Sequence, residues 1–111
     1  MLVGALTTLL FAAVLQLGLV LHVRATLVDC AAEGARYGAL ADRSPADGAQ
    51  RTRDLIALSL SPGYARDVTA EATVLDGLDV VRVEVTAPLP VLGLLGPSTL
   101  DVDGHALREL P

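Results

Sequence analysis

The sequence predicts an α+β protein. An N-terminal transmembrane helix continues as a long stem helix, a second short helix follows, and a three-stranded antiparallel sheet is packed on the helix. Three observations predict this. Met1 to Leu21 contains no charged side chain. Apolar and small residues then recur at helical spacing as far as Ala41. Beyond Pro62-Gly63 the pattern changes to alternation with a period of two. A chain of 111 residues holds one domain at most. With the apolar start set aside, roughly 90 residues remain, near the lower end of what folds without staples.

The start comes first. Thr7, Thr8 and Gln16 are the only strongly polar residues in 1–21. About 20 such residues cross a hydrocarbon core of about 30 Å with every backbone group paired inside the helix. A domain of roughly 90 residues is too small to cover an all-round apolar helix, which argues against a buried core helix. A cleaved signal peptide needs a basic start, a shorter apolar run and a small-x-small exit, and none is convincing here. Leu27-Val28-Asp29-Cys30 puts an acid before the cysteine, well past the run, so a lipoprotein cysteine is rejected. The expected division is a transmembrane helix over 1–21 and an α+β domain over 22–111.

Within that domain the stem helix is expected over 22–41. Val23, Leu27, Cys30, Gly34, Tyr37 and Ala41 form its stripe, with Asp29, Glu33 and Arg36 opposite and Glu33 and Arg36 able to pair at i,i+3. Gly34-x-x-x-Gly38 lets another backbone come close, and the favoured partner is the sheet. Ser44 caps a second helix over 45–60, with Pro45 at its first position and Asp47 three after the cap. Its stripe is Ala49, Thr52, Ile56 and Leu60, while Arg51, Arg53 and Asp54 are expected in solvent. Strands are expected at about 67–75, 80–87 and 99–107. Val68, Ala70, Ala72 and Val74, then Val81, Val83, Val85 and Ala87, supply one apolar face, and Asp76-Gly77 turns the hairpin. Between the second and third strands lies an apolar connection with Leu89, Val91, Leu92, Leu94 and Leu95. Loops normally face water, so at least two of these side chains are expected to meet a partner subunit or the membrane surface.

Composition narrows the function. The net charge of −5 argues against a nucleic-acid surface. One cysteine, Cys30, and two distant histidines, His22 and His105, supply no metal-ligand spacing. No nucleophile stands with a base, and no Gly-rich loop offers to cradle phosphate. Asp101 and Asp103, or Asp76 and Asp79, are expected as solvated edge and turn residues rather than acid/base pairs. The expectation is a protein that is not an enzyme and has no cofactor, metal or evident small-molecule substrate.

The apolar helix running into Ala31-Ala32-Glu33-Gly34-Ala35-Arg36-Tyr37-Gly38-Ala39 resembles the TadE-like family of bacterial Flp (tight-adherence) pilus-assembly proteins. In that family an uncharged span leads into a segment like A-x-E-G-A-R-Y-A-A, followed by a helix and a small sheet. The resemblance covers nearly the whole chain, and Glu33-Gly34-Ala35-Arg36-Tyr37 is its most specific part. It implies a pilin-like fold and a minor-pilin or pseudopilin role in secretion and adhesion. The protein would sit in the cytoplasmic membrane by a single span, with its C-terminal domain outside the cytoplasm. Its partners would be the membrane and other pilin-like subunits, including copies of itself. Arg24 and Arg36 after the span, read literally, lean toward the opposite orientation; the resemblance is followed. Family members also carry a basic leader, a Gly-containing peptidase site and a Glu early in the mature helix. This sequence opens at Met1-Leu2-Val3-Gly4 inside the apolar run, with no acid before Arg24, so neither the site nor that Glu is carried over. The alternative function is a single-span extracytoplasmic binding or sensor module unrelated to pili.

Overall fold

The computed structural model describes residues 1–88 and 99–108. Its first element, α1 (Leu2–Gly38), is one unbroken helix of 37 residues. No proline interrupts it, and leucine and alanine, both strong helix formers, recur along it. Over residues 1–22 every side chain is exposed except Gln16 and Val20, which are half-buried. From Val23 onward one face is buried, through Leu27, Cys30, Ala31, Gly34, Ala35 and Gly38. The helix stops at Gly38, three residues short of the expected end, and Ala41 is exposed. Leu40 N–H turns back to the Tyr37 carbonyl at 3.3 Å and Arg43 N–H to the Leu40 carbonyl at 3.0 Å. Those two turns reverse the chain so that the next helix can lie against the first.

Helix α2 (Pro45–Ser59) starts where the cap signals place it. Asp47 N–H donates to Ser44 Oγ at 3.3 Å, and Ser44 N–H donates to Asp47 Oδ2 at 2.9 Å, a reciprocal capping box. Leu60 ends the helix, its N–H reaching the Ile56 carbonyl at 2.8 Å. Ala49, Thr52 and Ile56 are buried as expected, and Leu60 half-buried. Arg53 corrects the expectation of a freely solvated charge. It is half-buried, and its Nη2 donates to the Val68 carbonyl at 2.9 Å, tying α2 to the first strand. A short 3₁₀ turn over Pro62–Ala65, not foreseen, carries the chain into the sheet.

The sheet has strands β1 (Asp67–Leu75), β2 (Leu78–Pro88) and β3 (Thr99–Leu107), antiparallel in the order β1-β2-β3. Asp76 (φ 53°) and Gly77 (φ 79°) both take positive φ, which matches a two-residue hairpin loop and the right-handed twist of the strands. Because that loop is so short, Leu75 already pairs with Leu78, and β2 starts two residues earlier than expected. The inner face is built on the central strand, where Val81, Val83, Val85 and Ala87 are all buried, with Val68 and Val102 beside them. Ala72 and Val74 depart from the expected apolar face: both are exposed. They lie on an edge strand near the turn, and the hairpin tip runs past the shelter of the helices.

Two close approaches join the layers. A Cβ on Gly104 would lie 2.6 Å from the backbone of Ala31 and Ala32, so β3 presses directly on α1 there. The Gly34–Gly38 stripe does not seat the sheet as expected; it seats α2. A Cβ on Gly34 would collide with the Thr52 side chain and come within 2.8 Å of the Gly48 carbonyl, and one on Gly38 would be 3.1 Å from Gly48 Cα. Thr52, fully buried, satisfies its hydroxyl by donating to the Gly48 carbonyl at 2.8 Å.

Candidate functional site

The motif Glu33-Gly34-Ala35-Arg36-Tyr37-Gly38 spans nearly two turns of α1, so its residues point in different directions. Gly34, Ala35 and Gly38 are buried. Glu33 and Arg36 are exposed and pair across one turn at 3.4 Å, a contact of the sort worth a few tenths of a kcal/mol, about 0.3–0.5. Tyr37 is half-buried, with the Arg43 guanidinium 5.0 Å and the Arg51 guanidinium 5.8 Å from its ring centroid. Such cation–π contacts contribute about 0.5–1 kcal/mol at exposed sites. The motif therefore works mainly as a packing device: the glycines admit α2, and the tyrosine closes the end of the helix pair.

Cys30 lies just below, buried in the core. Burial pushes its thiol up from the ordinary range; a hydrogen bond with Ser59 pulls it down and the nearby Asp29 carboxylate adds to the rise. A raised thiol is a poor nucleophile, which fits a packing residue.

The outer sheet face carries the densest charge. Arg82, on the central strand, lies 3.3 Å from Asp103 Oδ2, 3.7 Å from Glu84 Oε2 and 3.9 Å from Glu71 Oε1. His105 Nε2 is 3.7 Å from the same Asp103 oxygen, and Thr86 Oγ1 donates to Asp101 Oδ1 at 2.8 Å. Arg82 with Glu71, Arg82 with Asp103 and Thr86 with Asp101 are cross-strand pairs, while Arg82 with Glu84 and Asp103 with His105 lie along one strand; on an exposed surface each is worth up to about 1 kcal/mol. Asp101 and Asp103 share this face as expected. Among the described residues no group of three or more His, Cys, Asp or Glu side chains is placed to hold a metal ion. One open concavity lies between Arg36, Ala39 and Leu40 of the helix end and His105, Ala106 and Leu107 of β3.

Leu89, Val91, Leu92, Leu94 and Leu95 lie outside the described residues. The strand ends that flank them are described. Gly104 abuts Ala31 and Ala32, while Leu107 lies by Leu40, so β3 runs in the same direction as α1. Pro88 and Thr99, paired in register, therefore stand at the end of the sheet nearest the apolar half of α1. The close approaches that sequence reasoning missed are those at Gly48 and Gly104, whose importance comes from what approaches them rather than from any local pattern.

Helix α1 is long and apolar enough to cross a membrane, and no residue of its apolar window is buried. The class defined by fold and site is thus an α+β cap on an apolar stalk. No family model, curated protein or solved structure matches the chain.

Proposed function

We propose that this protein is a membrane-anchored, non-catalytic assembly subunit, a minor-pilin-like component of a tight-adherence type pilus or secretion system. The observation that carries the reading is α1 itself. One helix supplies both a bare apolar stalk and, without a break, the central packing element of a small α+β domain. A subunit that must leave a bilayer and enter a helical bundle needs that continuity, because a flexible linker would uncouple the two ends. The Glu33–Tyr37 segment, in the last turns of α1, adds the resemblance to TadE-like proteins. The domain stands outside the cytoplasm in this reading, and the membrane and other pilin-like subunits are its partners.

The test is topological and functional. A reporter active only outside the cytoplasm, fused after Pro111, is expected to be active. Deleting the gene is expected to abolish surface pili, and the wild-type chain to restore them. Reporter activity confined to the cytoplasm, or unchanged pili in the deletion strain, would overturn the proposal.

A further inference from the structure

The apolar half of α1 contains three strongly polar side chains, and the structure treats them differently. Thr7 and Thr8 satisfy themselves within the helix, their hydroxyls donating to the Val3 and Gly4 carbonyls at 2.9 Å. Gln16 does not. Its Nε2 is shielded from solvent and has no hydrogen-bond partner. Water could satisfy such a group at a protein surface, but a bilayer core holds none, so an unpaired amide within the span is unfavourable until it meets another polar group. Polar side chains in spans accordingly act as contacts between helices.

We infer that Gln16 pairs with Gln16 of a second copy of this chain, joining two spans side by side in the same orientation. The inference rests on the membrane-spanning part of the proposed function and adds the partner. Two features favour a second copy over another protein. A carboxamide carries both donor and acceptor, so two of them satisfy each other reciprocally. A second copy also presents its amide at the same depth in the bilayer. The surrounding residues supply a seam: Ala5, Leu9, Ala12, Gln16 and Leu19 follow alternating steps of four and three, the spacing of a left-handed helix pair. All but Gln16 are exposed, and the alanines allow close approach. A single polar residue in such a seam fixes register and number of strands.

The test uses the full chain with Cys30→Ser, reconstituted in phosphatidylethanolamine/phosphatidylglycerol vesicles. Leu9→Cys is placed in the seam, and Phe11→Cys on the opposite side of the helix as control. Oxidation is expected to cross-link the first and not the second, since a disulfide needs Cα atoms within about 7 Å. Adding Gln16→Leu is expected to lower cross-linking at position 9 at least fivefold, while Gln16→Asn keeps most of it. Cross-linking undiminished by Gln16→Leu, equal at positions 9 and 11, or absent at position 9 overturns the pairing. Alkaline carbonate extraction of the same samples separates the causes. Protein retained in the vesicles without dependence on Gln16 sinks the pairing alone, whereas fully extractable protein sinks the membrane reading as well.

Discussion

The two halves of α1 share one continuous backbone and differ in how side-chain size is distributed around it. In the N-terminal half, Leu6, Leu9, Leu10, Phe11 and Val14 point outward on several sides, and nothing lies within 4 Å of where a Cβ on Gly4 or Gly18 would stand. In the C-terminal half burial is one-sided, and the closest approaches fall on Gly34, Gly38 and Ala31. Lipid surrounds a helix uniformly and adapts to its outline. A protein neighbour comes from one direction with a fixed shape, at crystal-like density. In this helix, the partner is marked by where residues are small, more than by where they are apolar.

Two glycines of the same helix put that contrast at risk most directly. Gly34→Leu drives a side chain into Thr52 and the Gly48 carbonyl. Overpacking of this kind costs typically about 1–3 kcal/mol, and here the obstacle includes backbone, so about 3 kcal/mol is expected. For a domain of this size that lowers the thermal midpoint by about 12–24 °C. Gly4→Leu meets nothing and is expected to stay within about 0.5 kcal/mol of wild type. Thermal unfolding of the full chain in detergent, followed by circular dichroism and protease resistance, measures both. Equal effects would erase the distinction between the halves.

The same pair shows how far the fold could be read beforehand. Period-two alternation, an Asp-Gly turn and a Ser-Pro cap act through neighbouring residues, so the strands, the hairpin and the start of α2 were legible to within a residue or two. The stripe of Gly34 and Gly38 is legible in the sequence as a place of close approach, but its occupant is not: α2 sits there, not the sheet. Periodicity reports which face is buried and carries no information on which element covers it. For the same reason Ala72 and Val74 looked like core: their alternation is correct, but the cover ends before they do. The half-burial of Arg53 is not legible either, because a single arginine gives no sign that a carbonyl on another element, that of Val68, stands in reach.

A smaller effect is expected where the two helices are joined. Ser44→Ala removes the acceptor for Asp47 N–H and half of the capping box. Loss of such a cap costs typically about 1 kcal/mol, and the thermal midpoint should fall by about 4–8 °C. Because α2 is held against Gly34 and Gly38, this variant should also loosen the C-terminal half of α1 while leaving its apolar half unchanged. Amide hydrogen exchange resolves the two halves. Faster exchange around Gly34 to Gly38 with no change before Leu21 is the expected pattern; uniform acceleration along α1 would mean that the halves unfold as one.

The smallest effect concerns Cys30, the chemical probe placed where the one-sided burial is established. Burial raises its thiol in the folded chain, partly offset by Ser59 and reinforced by Asp29. The unfolded chain, with a thiol near the usual value of about 8.5, therefore gives up its proton first as pH rises. Above that value the unfolded state binds fewer protons than the folded state, so stability must fall with rising pH until the folded thiol also ionises. Below it the group contributes no slope. Denaturant unfolding at steps from pH 7 to 10 should show a steeper decline for the wild type than for Cys30→Ala, with parallel behaviour below about pH 8. In the same pH range a thiol reagent should label the folded chain slowly and the denatured chain fast, and non-reducing gels should show mainly monomer. Identical pH slopes together with rapid labelling of the folded chain would place Cys30 at an open surface, and the one-sided burial that separates the two halves of α1 would then have to begin higher up the helix than Cys30.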